Sequence, residues 1–392
     1  MPFLNVVDPA FDFTAPEVFA AQAAGWHADS PLGPLVLRYA ETQELLRDRR
    51  LDHGGDGYLQ RNGITAGPIH DWWAPMIVNR DGADHRRLRG LVGRSFTPRT
   101  IDRLRPFIRS TAEALADEIE SADFVDAFAN RLPLAVMGEL LGVPAADHDI
   151  FSVWSSDIGL IFALATGGDT TARVERAVAG LDGYVDTLID VKTRHPADDL
   201  ISRMVAAWRD EDTVSREELR NLLVTLVFGA HDNTRHQLSN TMVTFAEHPA
   251  QWTLLRDRPE LTERAITETM RWRPSAASVF RRATEDFEFQ GLPIAAGTFV
   301  TMAVQTAQRD PRAYPGGDAF DITAVREAPL LQFGAGPHYC LGSALASAQL
   351  SEALPVLAGR FGPPMIAGEV TWRPAIGTHG PNELPLRFPA PA

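Results

Sequence analysis

The sequence predicts a mostly α-helical fold with a small β portion. Three observations point there. Apolar residues recur at helical spacing over long stretches: in Arg103–Glu120 the residues Leu104, Phe107, Ile108, Thr111 and Leu115 share one stripe, and Val174–Lys192 repeats the pattern. Strand signals are short and confined to Val279–Ala283, Phe287–Phe289 and Thr298–Met302, where residues alternate or are β-branched. Strands do not alternate with helices along the chain, which disfavours a doubly wound α/β sheet.

Further elements follow in chain order. Ser215 and Glu218 form a capping-box signature ahead of Leu219–Phe245. That stretch is long and apolar enough to be a central, mostly buried helix. Leu261–Trp272 is a further helix, stopped by Pro274. Asp310–Leu331 is rich in Pro, Gly and Asp and should wind irregularly. Gly342–Phe361 is the last helix, and Pro355 should kink it or shorten its end.

The chain's 392 residues exceed the usual size of a single core, and length alone suggests two or three domains. There is no internal repeat, low-complexity linker or sharp change of composition, and a large bound cofactor can centre one larger core. One unit over 1–392 is therefore expected. A net charge of −14 argues against nucleic acid or an anionic membrane surface as the main partner. The first residues lack a basic region followed by an apolar one, so no signal peptide is expected. No apolar run approaches the about 18–20 residues of a membrane span. A cytoplasmic protein is the expectation, and a single cysteine fits a reducing compartment.

A lone cysteine is usually a small buried hydrophobe. The neighbours of Cys340 argue otherwise. In Phe333-Gly334-Ala335-Gly336-Pro337-His338-Tyr339-Cys340-Leu341-Gly342, two glycines permit a tight turn and close backbone approach to a flat ligand. Cys340 follows at the start of a helix, whose free N–H groups stabilise a thiolate. Gly342 would let the helix lie close to the ligand, and Phe333 could pack beneath it. A phosphate loop would need Lys-Ser/Thr after the glycines, and a c-type heme site a second cysteine; neither is present. A cysteine nucleophile stays open.

This run resembles the heme-binding loop of the cytochrome P450 family, Phe-Gly-x-Gly-x-His-x-Cys-x-Gly, at all six specified positions. The resemblance extends over essentially the whole chain. It implies the cytochrome P450 fold, with heme b buried between the long central helix and the cysteine-loop helix, and Cys340 as axial ligand of the iron. Glu268 and Arg271, three apart on one helix face, read either as a surface ion pair or as the family's Glu-x-x-Arg brace. The family usually adds an arginine from an Asp-Arg-Phe-Asp pattern. Here that pattern is Asp318-Ala319-Phe320-Asp321, so the third contact is missing or supplied from elsewhere. Within Arg80–Thr100, His85 and Arg89 resemble the family's propionate-binding His-x-x-x-Arg, and Arg281 and His338 match two further donors. Each read singly is also compatible with a solvated surface base.

Phe228-Gly229-Ala230-His231-Asp232-Asn233-Thr234 resembles the family's Ala/Gly-Gly-x-Asp/Glu-Thr-Thr signature, in which a small pair makes room for dioxygen and an acid and a threonine deliver protons. Asp232 keeps the acid, but Asn233 replaces the first threonine and Thr234 follows it. Three readings stay open: monooxygenation through a water held by Asn233, a relay completed by the substrate's own polar group, or oxidation without oxygen insertion. His231 reads as a packing residue. By the same resemblance Trp72 and Trp73, in the segment 70–77, would lie in a mobile loop over the pocket, or else pack in the core. Thr225, Phe228, Gly229, Ala277, Val279 and Ile376 would line the pocket, whose apolar walls suit an apolar or aromatic small molecule. The implied activity is monooxygenation, typically hydroxylation, in specialised metabolism, with O2 and with electrons from a separate ferredoxin or flavodoxin and its NAD(P)H-dependent reductase. The rivals are an oxidative cyclase or coupling enzyme on the same scaffold, and a heme-binding sensor or carrier without turnover.

Overall fold

The 32-residue helix Arg216–Glu247 is the axis about which the other elements are arranged. Its start is fixed as the capping box requires: Glu218 N–H donates to Ser215 Oγ at 3.1 Å, and Ser215 N–H donates to Glu218 Oε2 at 2.8 Å. Residues 234–245 are all buried, so this half carries no polar face. Thr241 and Thr244 are satisfied within the helix, donating to the carbonyls of Gln237 and Asn240, each at 2.8 Å. The computed structural model describes residues 1–55, 57–61, 63–119, 121–163, 168–210 and 213–390.

The expected helices are present, with shifted ends. Arg103–Glu120 belongs to Pro98–Glu118, begun by Thr97, whose side chain accepts from Thr100 N–H; Glu120 lies outside the described residues. Val174–Lys192 lies within Gly168–Arg194, and Leu261–Trp272 becomes a 3-10 turn, Pro259–Leu261, running into Thr262–Trp272. The last helix is Ser343–Arg360, and it packs along Pro98–Glu118. Arg105 and Arg109 cross that interface to Glu352 at 3.2 and 2.8 Å. Pro355 does not shorten this helix. Leu354, Leu357 and Ala358 are buried around it, and burial of the last turn outweighs the one hydrogen bond a proline removes.

The main sheet has five short strands in the order His27–Ala28, Leu35–Val36, Phe299–Met302, Val279–Ala283, Leu51–Asp52. Leu35–Val36 runs parallel to Phe299–Met302, and the other neighbours are antiparallel. This register sets Arg281 opposite Val300. A two-stranded hairpin, Thr371–Trp372 with Pro381–Glu383, brings a turn over residues 373–380 against the central helix. The segment 310–331 is turns and loops, as expected.

That irregular segment contains the answer about the third arginine. Glu268 and Arg271 form a buried two-pronged pair at 2.7 and 2.8 Å. The remaining Arg271 donors reach the carbonyls of Gln308, Gly317 and Ala319 at 2.9–3.0 Å. Arg326 supplies the second guanidinium to Glu268, at 3.2 and 3.1 Å, and also donates to Pro315 O at 2.8 Å. Burial alone would push the Glu268 carboxyl up, but the hydrogen bonds from Arg271 and Arg326 outweigh it and hold the group below its ordinary range. The pair is therefore a buried brace and not a surface ion pair. Its third member comes from position 326, and Ala319 takes part only through its carbonyl.

Candidate functional site

A cavity of ≈ 360 Å³ lies between the central helix, the helix Gly82–Ser95 and the cysteine loop. The central helix contributes Thr225, Leu226, Gly229, Ala230, Asn233, Thr234 and Gln237, which repeat at helical spacing and so form one face. The helix runs through Gly229 without interruption, and a Cβ there would meet nothing within 4 Å. Room on this wall comes from missing side-chain volume, not from a break in the helix.

Cys340 forms part of the wall contributed by the cysteine loop, and its sulphur opens on the cavity. Gly334 and Gly336 turn the chain at φ values of +70° and +69°, a region that favours glycine. Cys340 N–H then donates to Phe333 O at 2.8 Å, closing the loop. Arg89 Nη2 donates to Tyr339 O at 2.6 Å and fastens the loop to the helix Gly82–Ser95. The following helix begins at Ser343, with Gly342 capping it, so Cys340 stands just ahead of the helix and not on it. Burial pushes its thiol above the ordinary value, outweighing the N–H groups of Gly342 and Ser343 and the charge of Arg89, which pull it down. A Cβ at Gly342 would sit 3.9 Å from Sγ, so glycine keeps the space beside the sulphur open.

The expected propionate donors His85, Arg89 and His338 all line the same cavity, and His53 joins them. The His338 ring lies 4.3 Å from that of His53 and 4.2 Å from that of His85. Arg281 is buried beside this stack, its one side-chain hydrogen bond among the described residues going to Phe280 O at 2.8 Å. Against these bases stands Asp81, paired with His338 Nε2 at 2.8 Å. The imbalance shows in the basicities. Burial first, then the charges of His338 and Arg89, pushes His85 down to about 4; burial pushes Arg281 down to about 10. His53 Nε2 is buried with no partner among the described residues. Buried, under-satisfied basic side chains are costly, and an anion at this end would supply the missing partner. The donor set fits a flat cofactor that carries two carboxylates at this end and meets the sulphur of Cys340. Sequence reading missed His53, because no spacing motif connects it to the helix or the loop it meets.

Asp232 faces away from the cavity. Its carboxylate accepts from Arg235 Nη2 at 2.8 Å and from Arg373 Nη1 at 2.6 Å, with His236 Nε2 at 3.7 Å. Burial opposes ionisation, but Arg373, His236 and Arg235 outweigh it and hold the carboxyl far below the usual range. His231 is fully buried beside it, as a packing residue would be. Asn233 does line the cavity, and its Oδ1 lies 3.2 Å from Thr378 Oγ1 in the 373–380 turn. Thr225 also lines it, but its hydroxyl is taken by Asn221 O at 2.7 Å.

Six expected pocket residues do not line this cavity. Trp72 and Trp73 are buried in the core, with Phe228 packed 6.4 Å from Trp72, because their helix Pro68–Trp73 turns its apolar face inward. Ala277 is one residue out of phase: Ala276 lines the cavity, and the next side chain on an extended chain points the other way, here towards Ala303 and Ala375. Val279 packs into the sheet, and Ile376 packs against the N-terminal apolar cluster.

Comparison with known proteins agrees with this geometry. The family model described as cytochrome P450 matches residues 251–362. Over the full length, the chain is 44% identical to a luteothin monooxygenase of Streptomyces thioluteus, covering 97% of that protein. It is 34% identical to a mycinamicin IV hydroxylase/epoxidase of Micromonospora griseorubida, over 90% of this chain and 88% of the other. The crystal structure of CalO2 superposes with a TM-score of 0.88 at 30% identity, over 98% of this chain and 100% of that one. No described helix is long and apolar enough to cross a membrane. The chain belongs to the cytochrome P450 family, as a heme-thiolate monooxygenase.

Proposed function

We propose that the chain binds heme b as one domain over 1–392. Cys340 would ligate its iron, His85, Arg89, Arg281 and His338 would hold its propionates, and Phe333, Gly334 and Gly342 would shape the loop beside it. Bound there, the heme supplies reductive activation of dioxygen, favoured by the electron density of the thiolate. The observation that carries this reading is one cavity with two complementary ends: a sulphur flanked by backbone N–H groups, and the basic side chains His53, His85, Arg89 and His338, with Arg281 buried beside them and only Asp81 and Asp52 as nearby acids.

The chain's own residues then have distinct tasks. The apolar wall, including Ile77, Val78, Val92, Leu222 and Leu226, excludes water and holds an apolar or aromatic substrate. Asn233 offers a hydrogen-bond donor on the distal side, next to Thr234. Asp232 keeps its charge and fixes the electrostatics of that turn from behind. The substrate is a small molecule of specialised metabolism, a reading that the luteothin and mycinamicin enzymes support. Electrons come from a ferredoxin or flavodoxin with an NAD(P)H-dependent reductase, in the cytoplasm. Turnover with labelled dioxygen in a system reconstituted with such partners is the test: one labelled atom in the product is expected. An oxidised product without label would replace hydroxylation by coupling or ring closure.

A further inference from the structure

Asn233 leaves the central helix without a hydroxyl at the turn where the P450 signature has its first threonine. The fold returns one from far along the chain. Thr378 Oγ1 donates to Asn233 Oδ1 at 3.2 Å, across 145 residues of sequence. Thr378 sits in the turn of the Thr371–Trp372/Pro381–Glu383 hairpin, and four contacts settle where that turn lies. Gly377 N–H donates to Ser278 Oγ at 2.9 Å, and His379 N–H to Ser275 O at 2.7 Å. Asn240 Nδ2 donates to His379 O at 3.0 Å, and Arg373 reaches Asp232 at 2.6 Å. Thr378 itself forms an isolated bridge with Ala276, which lines the cavity. There is no slack between turn and helix, since a Cβ on Gly380 would come within 2.7 Å of His236 Nδ1.

A carboxamide has an acceptor end and a donor end, and binding one end decides what the other presents. With Oδ1 taken by Thr378, Nδ2 has no hydrogen-bond partner among the described residues, on a side chain that is exposed where it lines the cavity. We propose that Thr378 is a positioning residue. Its hydroxyl fixes the Asn233 amide by the oxygen, so that the Nδ2 hydrogens face the distal side of the heme site. Asn233 and Thr378 together thus take the place of the single threonine. Asp232 cannot present a donor there, because its oxygens are turned away to Arg235 and Arg373. Without the Thr378 hydroxyl the amide is free to rotate, and donor and acceptor ends both visit the cavity.

This inference rests on the heme reading given above. Its test uses the ferrous carbon monoxide complex of the holoprotein, whose C–O stretch senses hydrogen-bond donors on the distal side, together with the hydrogen peroxide released per dioxygen consumed. Thr378→Val should split or broaden the single C–O band and raise the peroxide fraction several-fold. Thr378→Ala, which adds no methyl group in exchange, should do the same. Thr378→Ser should restore both readouts, which a merely steric role would not require. In an Asn233→Thr background, Thr378→Val should have no further effect. An unshifted single band with wild-type peroxide yield in Thr378→Val overturns the proposal, as does an undiminished effect in the Asn233→Thr background. Failure of the heme reading looks different: the wild-type protein itself would then lack a thiolate-type Soret band.

Discussion

The cysteine-loop wall of the cavity and the central-helix wall are built on opposite plans. Around Cys340 nearly everything is local: two left-handed glycines, a loop closed from Cys340 N–H to Phe333 O, and the N–H groups of Gly342 and Ser343 two and three residues on. Around Asn233 and Asp232 the decisive partners are distant: Thr378 is 145 residues away and Arg373 is 141. A local site tolerates change elsewhere and is specified by its own sequence. A long-range site depends on the register of a hairpin that carries no motif of its own. The lesson is that chemistry fixed by backbone geometry and chemistry tuned by tertiary packing meet across one cavity.

Substitutions can break this contrast, and the largest effect is expected on the long-range side. Arg373→Met leaves Asp232 buried with one guanidinium and should cost about 3–5 kcal/mol of stability in denaturant titrations. Adding Asp232→Asn should recover little of that loss, because buried Arg235 is then left without its carboxylate as well. A cost near zero would mean that the 373–380 turn does not support the helix.

Arg281→Met should act with opposite sign in the two forms. Without heme it removes a buried cation whose burial outweighs the charges of Asp81 and Asp52, so the apoprotein should gain about 1–3 kcal/mol. With heme the same change should speed transfer of the cofactor to apomyoglobin. Loss of stability in both forms would point to packing and not to charge.

Arg326→Ala should cost about 1–3 kcal/mol by removing two hydrogen bonds to buried Glu268. The pH dependence carries a sign. The folded carboxyl is held below its ordinary 4.5, so its stabilisation is fully present above that value and is lost as pH falls through the lower folded value. The gap between wild type and Arg326→Ala should therefore shrink on acidification. Ala319→Arg in the Arg326→Ala chain asks whether the usual position can still serve. The smallest effect is expected for Arg131→Ala, whose partner Glu118 is an exposed surface carboxylate. That change should stay within about 0.5 kcal/mol by thermal melting.

What could be read in the sequence follows the same division. The cysteine loop, the Ser215/Glu218 box and the strands Val279–Ala283 and Phe287–Phe289 were legible because their causes lie within a few residues. Helix ends slipped where apolar spacing alone was read: Pro98–Glu118 starts five residues before the apolar stripe suggests, at the local Thr97 cap. Arg326 was invisible because an irregular segment has no periodicity to carry an arginine from position 319 to the same carboxylate. Ala276 was missed for Ala277 because parity on an extended segment is set by the Thr378 bridge, not by composition. Trp72 and Trp73 show the limit of carrying over a family's stations, since their own apolar helix face puts them in the core. His53 and Arg373 have no local signal at all.

The central claim is that the two ends of the cavity are separable: the loop ligates and the cation cluster holds. The reduced carbon monoxide difference spectrum of wild type and Cys340→Ser, read beside heme content, tests it directly. The account predicts a thiolate-type Soret band in the wild type and none in Cys340→Ser, with heme still bound through the intact His85, Arg89, Arg281 and His338 cluster. A thiolate-type band that survives in Cys340→Ser, or never forms in the wild type, would contradict it.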